Sequence, residues 1–107
     1  MTDVIWVETD QDFDDILNGA ENVVVDFTAP GWCRPCQQFA PHFERAASSL
    51  ADSGDDTVFV AVDVDKAPWA MQEYGVQSVP TVKRFVNGEY VSDLKGRTVV
   101  ALLNELK

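Results

Sequence analysis

The spacing of apolar residues along this chain switches repeatedly between a strand period and a helix period, and this alternation constrains the fold more than any other feature. Apolar residues predict strands at 4–7, 23–27 and 58–62. The segments 81–86 and 89–94 flank a hairpin signal and are predicted to be the last two strands. Apolar residues three and four positions apart predict helices at 10–19, 34–50, 68–74 and 99–106. The resulting order, β-α-β-α-β-α-β-β-α, places the chain in the α/β class.

Residues that favour helix ends and turns lie at the boundaries of these segments. Thr9 or Asp10 can cap the first helix, and Thr98 can cap the last. Asn87-Gly88 separates the final two strands and is typical of a two-residue hairpin turn. The continuous apolar run at 23–27 suits a strand that is covered on both faces, so we expect this strand to be central.

Length and charge restrict the domain organisation and the partners. The 107 residues suit one domain, 1–107, and the net charge is −10, with eight acids and no Lys or Arg in the first 33 positions. Such a chain should repel nucleic acid and anionic membranes. No apolar run reaches ~18 residues, and positions 1–10 lack the features of a signal peptide. We therefore expect a cytoplasmic monomer with no nucleic-acid or membrane partner.

The two cysteines of the chain lie three positions apart in the segment 32–36, which reads Trp-Cys-Arg-Pro-Cys. In a chain with alternating strands and helices, this spacing is typical of a redox-active pair. Cys33 lies at a predicted helix N-terminus, where unpaired N–H groups stabilise a thiolate, and the charge of Arg34 should favour that thiolate further. Pro35 stiffens the start of the helix.

The two sulfur atoms should differ in exposure. Cys36 lies in line with the apolar stripe of the helix, so we expect it to be shielded, whereas Cys33 should be exposed and acidic. This asymmetry suits thiol–disulfide exchange. Cys33 would attack a substrate disulfide as the nucleophile, and Cys36 would resolve the mixed disulfide.

Two other interpretations of the cysteine pair are weaker. A zinc site needs about four nitrogen or sulfur ligands, and the chain has two Cys and one His. His42 shares a predicted polar helix face, which favours a solvated side chain, so we expect no metal site. A purely structural disulfide would close too short a loop to restrict the unfolded chain strongly.

The sequence resembles the thioredoxin family over essentially its whole length. Each matching piece is short, but together they are specific. They are Val25-Asp26-Phe27, Trp32-Cys33-x-Pro35-Cys36, Pro41, Tyr74-Gly75-Val76-x-Ser78-Val79-Pro80-Thr81, Phe85-x-Asn87-Gly88 and Gly96. The chain departs from the family pattern at Thr28, Gly31, Arg34, Ala61, Lys83 and Arg84.

The resemblance implies a fold, a substrate site and a partner. The fold would be the thioredoxin fold, a central mixed five-stranded sheet flanked by four helices. Pro80 would be a cis-proline facing the cysteines, and substrate would bind beside Val79, Pro80 and Gly96. The redox centre would be the cysteine pair with no bound cofactor. The electron donor would be an NADPH-dependent flavoprotein, thioredoxin reductase, and the substrates would be proteins that carry disulfides.

Asp26 and Trp32 each have two interpretations. Asp26 follows three valines in a buried run, so it is either a proton acceptor for Cys36 or an acid at a solvated strand end. The resemblance favours the proton acceptor. Trp32 is either a contact surface beside Cys33 or a partly buried packing residue.

The function predicted from these observations is protein disulfide reduction through Cys33 and Cys36, with roles in electron transport and redox homeostasis. One alternative is a glutathione-coupled protein of the glutaredoxin kind, or an oxidase or isomerase. The other is a non-catalytic accessory subunit in which an acidic thioredoxin fold serves as a binding module.

Overall fold

A computed structural model describes residues 3–107 and contains five strands and four helices within that range. The strands are β1 Val4–Val7, β2 Asn22–Thr28, β3 Val58–Asp63, β4 Thr81–Val86 and β5 Glu89–Leu94. The helices are α1 Asp10–Gly19, α2 Arg34–Asp52, α3 Trp69–Glu73 and α4 Val99–Glu105. The predicted order of elements is confirmed. Met1 and Thr2, which begin the segment 1–10 considered above, lie outside the described residues.

The strands form one mixed sheet in the order β1-β3-β2-β4-β5. β3 pairs in parallel with both β1 and β2, whereas β4 pairs antiparallel with β2 and β5. The predicted mixed five-stranded sheet with four helices is therefore confirmed. β2 is central, as its continuous apolar run predicts, and six of its seven residues are buried.

Two apolar clusters cover the two faces of the sheet, because alternate residues of each strand point to opposite sides. One cluster includes Val25 and Phe27 of β2 and packs against Phe13 of α1. The other includes Val24 of β2, and it also contains buried residues of α2 and α4, among them Phe39, Phe43 and Leu102. Asp26 alternates with Val25 and Phe27, so it belongs to the face beneath α2 and α4.

The predicted caps and the predicted hairpin are present. Thr9 Oγ1 accepts a hydrogen bond from Asp12 N at 3.1 Å, and Thr98 Oγ1 accepts one from Ala101 N at 3.2 Å. Asn87 and Gly88 both have positive φ, at 52° and 82°. Positive φ at both central positions is the conformation of the tight turn that matches the twist of a hairpin.

Lys83 introduces a charge into β4, and the structure shows how this charge is accommodated. The side chain is buried, and its Nζ lies 2.8 Å from Asp93 Oδ1 on the neighbouring strand. Tyr90 donates its hydroxyl to the same carboxylate oxygen at 2.9 Å. The hydrogen bond from Lys83 is the largest cause of a lowered pKa at Asp93. The lysine is thus paired with a carboxylate rather than left as an isolated buried charge.

None of the helices formed by residues 3–107 combines the length and the apolar character that crossing a bilayer requires.

Candidate active site

Cys33 and Cys36 lie at the N-terminus of α2 and form a disulfide, with Cα atoms 5.2 Å apart. Cys33 is the N-cap residue, and its Sγ accepts a hydrogen bond from Cys36 N at 3.2 Å. Pro35 lies in the first turn, where its missing N–H costs no helical hydrogen bond. The predicted position of Cys33 at the helix terminus is confirmed, and the positive end of the helix dipole acts on its sulfur.

The prediction that Cys33 is exposed is wrong for the disulfide form. Cys33 is only 4% exposed, and Cys36 is 1% exposed. The Cys33 sulfur turns inward to the backbone of α2, and on its other side it lies 3.7 Å from Val79 O. The loop before β4 therefore contributes to the burial of the Cys33 sulfur. The two cysteines therefore differ only slightly in exposure.

Trp32 precedes the disulfide and is 65% exposed. Its indole Nε1 donates a hydrogen bond to Asp65 Oδ2 at 2.8 Å, across 33 residues of sequence. The side chain is thus an anchored surface residue and not a packing residue. Arg34, on the other side of Cys33, is also exposed. Asp65 was not among the site residues predicted from sequence.

The loop 78–80 faces the disulfide, and its Val79–Pro80 peptide bond is cis, as the resemblance implies. The second neighbouring loop, 95–98, carries Gly96. Glu105 of α4 holds this loop, because its carboxylate accepts hydrogen bonds from Lys95 N at 2.9 Å and Gly96 N at 2.7 Å. Val79 thus lies against Cys33. The loop that carries Gly96 contacts Pro80 through the side chain of Arg97.

Asp26 lies beneath α2 and is 3% exposed. Its neighbours on the adjacent strands are Ala61 and Val82, both apolar. Its Oδ1 accepts no hydrogen bond from residues 3–107. Desolvation by burial raises the pKa of Asp26 from 3.8 to about 7, and the positive charge of Arg97 partly opposes this rise. The solvated strand end considered above is therefore excluded.

A small apolar cavity of about 50 Å³ connects Asp26 with the disulfide. Asp26 and Cys36 both line it, together with Ala61 and Phe43. The small side chain of Ala61 leaves space beside the carboxyl. Asp26 and Cys36 thus line the same pocket, which is partly open to the surface.

Arg97 is a site residue that the sequence analysis missed. Its Nη1 donates to Leu94 O at 2.8 Å and Gly96 O at 3.0 Å, and its Nη2 donates to Pro80 O at 3.4 Å. The guanidinium carbon lies 5.2 Å from the centroid of the Phe39 ring. The available signal was a basic residue directly after Gly96, in a chain with few basic residues.

Comparisons with known proteins agree with this geometry. The Thioredoxin family model matches residues 4–107. The chain belongs to the thioredoxin family. Proteins of this family are thiol–disulfide oxidoreductases that generally use disulfide substrates and a thioredoxin reductase.

Three individual proteins show the range of the similarity. A thioredoxin of Griffithsia pacifica is 37% identical over 95 residues, which is 88% of this chain and 84% of that protein. A solved structure of Plasmodium falciparum thioredoxin has a TM-score of 0.82 at 34% identity and covers 95% of this chain and 94% of that one. Protein disulfide-isomerase A4 of Rattus norvegicus is 32% identical over 95% of this chain, but the chain spans only 16% of its length.

His42 is the one histidine of the chain, and the prediction that it is solvated is wrong in part. The residue is half-buried, and its Nδ1 is buried with no hydrogen-bond partner among residues 3–107. The side chain lines a groove beside Pro35 and Pro80. The face of α2 that carries His42 is thus partly covered, because the loops before β4 and α4 approach it.

We expect Arg97→Gln to raise the pKa of Asp26 above about 7, because the substitution removes the positive charge that favours the carboxylate. NMR titration of the Asp26 carboxyl carbon measures this directly. Lys95→Gln is the matched control, since it removes the same charge from an exposed neighbouring position. Equal pKa values in the two variants would show that Arg97 does not act on Asp26.

We expect Gly96→Ala to destabilise the protein by about 1–3 kcal/mol. A Cβ at this position would lie 2.7 Å from Ala101 Cβ and 2.8 Å from Ala101 C, so the backbone of α4 or of the loop must move. Gly31→Ala is the control, because a Cβ there meets no atom within 4 Å. Urea unfolding of both variants tests the expectation, and similar midpoints would contradict it.

Proposed function

We propose that this chain reduces protein disulfides, as a thioredoxin-type reductase that cycles between the Cys33/Cys36 dithiol and disulfide. The observation that carries the proposal is the disulfide at the N-terminus of α2, with Cys33 Sγ 3.7 Å from Val79 O beside the cis-proline. A helix N-terminus stabilises a thiolate, and the adjacent backbone can pair with an extended substrate.

The proposed cycle has two exchange steps. The Cys33 thiolate attacks one sulfur of the substrate disulfide, which forms a mixed disulfide and releases one substrate thiolate. Cys36 then loses its proton to Asp26 and attacks the Cys33 sulfur. This step closes the Cys33–Cys36 disulfide and releases the second substrate thiolate, so two electrons pass to the substrate.

Other residues would support these steps. Trp32 would offer an exposed contact surface that Asp65 holds in place. Val79, Pro80 and Gly96 would bind the substrate backbone, and Arg34 and Pro35 would favour the Cys33 thiolate and shape the start of α2. No bound cofactor is needed, because the cysteine pair carries the electrons.

The proposal extends to partners and location. An NADPH-dependent thioredoxin reductase would reduce the Cys33–Cys36 disulfide, and the chain would work as a monomer and a single domain, 1–107. Its action would lie in the cytoplasm, in electron transport and redox homeostasis, because a disulfide reductase works where the surroundings keep thiols reduced.

The test is the reduction of insulin disulfides in two parallel reactions, one with NADPH and thioredoxin reductase and one with glutathione. We expect rapid reduction in the first reaction only. Activity with glutathione alone would indicate the glutaredoxin-like alternative. A Cys33→Ser, Cys36→Ser double variant that keeps the biological function of the chain would indicate a non-catalytic binding module.

Disulfide isomerisation is the second candidate, and the similarity to protein disulfide-isomerase A4 favours it. An isomerase restores activity to scrambled ribonuclease by rearranging its disulfides, whereas a reductase removes the disulfides and leaves the ribonuclease inactive. Recovery of ribonuclease activity at a rate that depends on this chain would therefore favour the isomerase.

A further inference from the structure

A groove of about 360 Å³ lies beside the disulfide, between the first turns of α2 and the loops that precede β4 and α4. Its lining residues are Pro35, Gln38, Phe39, His42, Pro80 and Arg97. The volume is in the range of a small-ligand or side-chain pocket. None of the six lining residues is acidic, although the chain as a whole has a net charge of −10.

Arg97 brings a fixed positive charge into this groove. It forms no ion pair within residues 3–107, since the ion pairs found there are Lys66 with Glu8 and Lys83 with Asp93. Three backbone carbonyls and the Phe39 ring hold the guanidinium in place. A guanidinium held in this way loses little side-chain entropy when it binds a ligand.

The hydrogen bonds of Arg97 leave part of the guanidinium free. Nη1 uses both of its N–H groups on Leu94 O and Gly96 O, and Nη2 uses one on Pro80 O. Of the five N–H donors of an arginine, this leaves Nε–H and one on Nη2. A planar cation with unused N–H donors suits a carboxylate, which is an anion and a hydrogen-bond acceptor.

We infer that this groove binds a carboxylate of the disulfide substrate through Arg97, and that the preferred substrates carry an acidic side chain near the reacting cysteine. The inference rests on the proposed function. Cys33 Sγ lies 3.7 Å from Val79 O, and Arg97 Nη2 lies 3.4 Å from the carbonyl of the next residue, Pro80. Because an extended peptide advances ~3.4 Å per residue, the carboxylate belongs within about three residues of the substrate cysteine.

The test uses the dithiothreitol-reduced full chain in single-turnover reactions, so that no reductase is required. The substrates are homodimeric disulfides of a short peptide that contains one cysteine. Glu is placed in turn at each of the three positions on either side of the cysteine, and the peptide with Gln at that position is its partner. The measured quantity is the ratio of the two reduction rates, which cancels any change in the basal rate.

We expect the Glu peptide to react about fivefold faster than the Gln peptide at one or two positions. Arg97→Gln should bring this ratio close to one, and Arg97→Lys should keep part of it because the charge stays without the planar donors. Lys95→Gln should keep the ratio, which separates Arg97 from the effect of net charge.

Glutathione disulfide and its carboxyl esters form a second arm, because glutathione also carries carboxylates. If Arg97→Gln lowers the Glu-to-Gln rate ratio of the peptides, the groove binds protein side chains. If Arg97→Gln lowers only the rate ratio of glutathione disulfide to its esters, the groove binds that tripeptide. A ratio near one at every position and with glutathione, or a ratio that survives in Arg97→Gln, overturns the inference and leaves disulfide reduction intact. If the reduced chain reduces no peptide, the proposed function fails as well.

Discussion

Cys33→Ser should reduce the rate of insulin reduction to that of the uncatalysed reaction, whereas Cys36→Ser should still attack a substrate disulfide once. The reason is the different place of the two sulfurs at the start of α2. Cys33 is the N-cap residue next to Val79 O, whereas Cys36 lies in the first turn of the helix and lines a pocket with Asp26. With Cys36 replaced, nothing releases the substrate from Cys33, so the mixed disulfide should accumulate.

Mass spectrometry of the two variants after incubation with oxidised insulin distinguishes the roles. We expect a covalent adduct at Cys33 in Cys36→Ser and none in Cys33→Ser. Each variant is the matched control for the other, because both replace a cysteine by serine and the two positions are three residues apart. Serine is also a good N-cap residue, so its oxygen can accept the hydrogen bond from Cys36 N and preserve the helix start. Turnover by Cys33→Ser with adducts at Cys36 would reverse the assignment.

The elements of this fold could be predicted because each depends on residues close together in sequence. The valines of β2, the caps Thr9 and Thr98, and Asn87-Gly88 all act over a few positions. The position of Cys33 at the start of α2 is local in the same sense. The order of strands is not local, so the mixed sheet followed from the family resemblance alone.

The parts of the site that could not be predicted depend on contacts between distant segments. Trp32 and Asp65 are 33 positions apart, and the exposure of Cys33 depends on Val79, which is 46 positions away. Arg97 acts on Asp26 from a loop near the other end of the chain. A local sequence pattern does not show which distant segments come into contact. For this reason Cys33 was predicted to be exposed, and Arg97 was not predicted as a site residue.

Asp26→Asn should stabilise the protein at neutral pH by about 4 kcal/mol. Burial raises the pKa of Asp26 from 3.8 to about 7, so the folded state holds the proton more tightly than the unfolded state does. A difference of roughly three pKa units is worth about 4 kcal/mol. Asparagine carries no charge in either state, so the variant avoids the cost of a buried carboxylate.

The gain should depend on pH in a defined way. Below pH 3.8 the carboxyl is protonated in both states, so the favourable contribution of the neutral group is fully present and the variant gains nothing from removing the charge. Between pH 3.8 and about 7 only the unfolded state releases the proton, so the original protein loses stability as pH rises and the gain of the variant grows. Above about pH 7 both states are ionised and the gain is constant.

Urea unfolding of both proteins at a series of pH values measures this curve. Asp56→Asn is the control, because it makes the same substitution at an exposed position. The same variant tests the proton transfer, since a residue that accepts the Cys36 proton should, when replaced, lengthen the life of the mixed disulfide at pH 7. A gain that appears at pH 3 as strongly as at pH 8 would trace the effect to packing. A stability gain with the predicted pH dependence would support the buried acid. An unchanged lifetime of the mixed disulfide in the same variant would contradict its role in proton transfer.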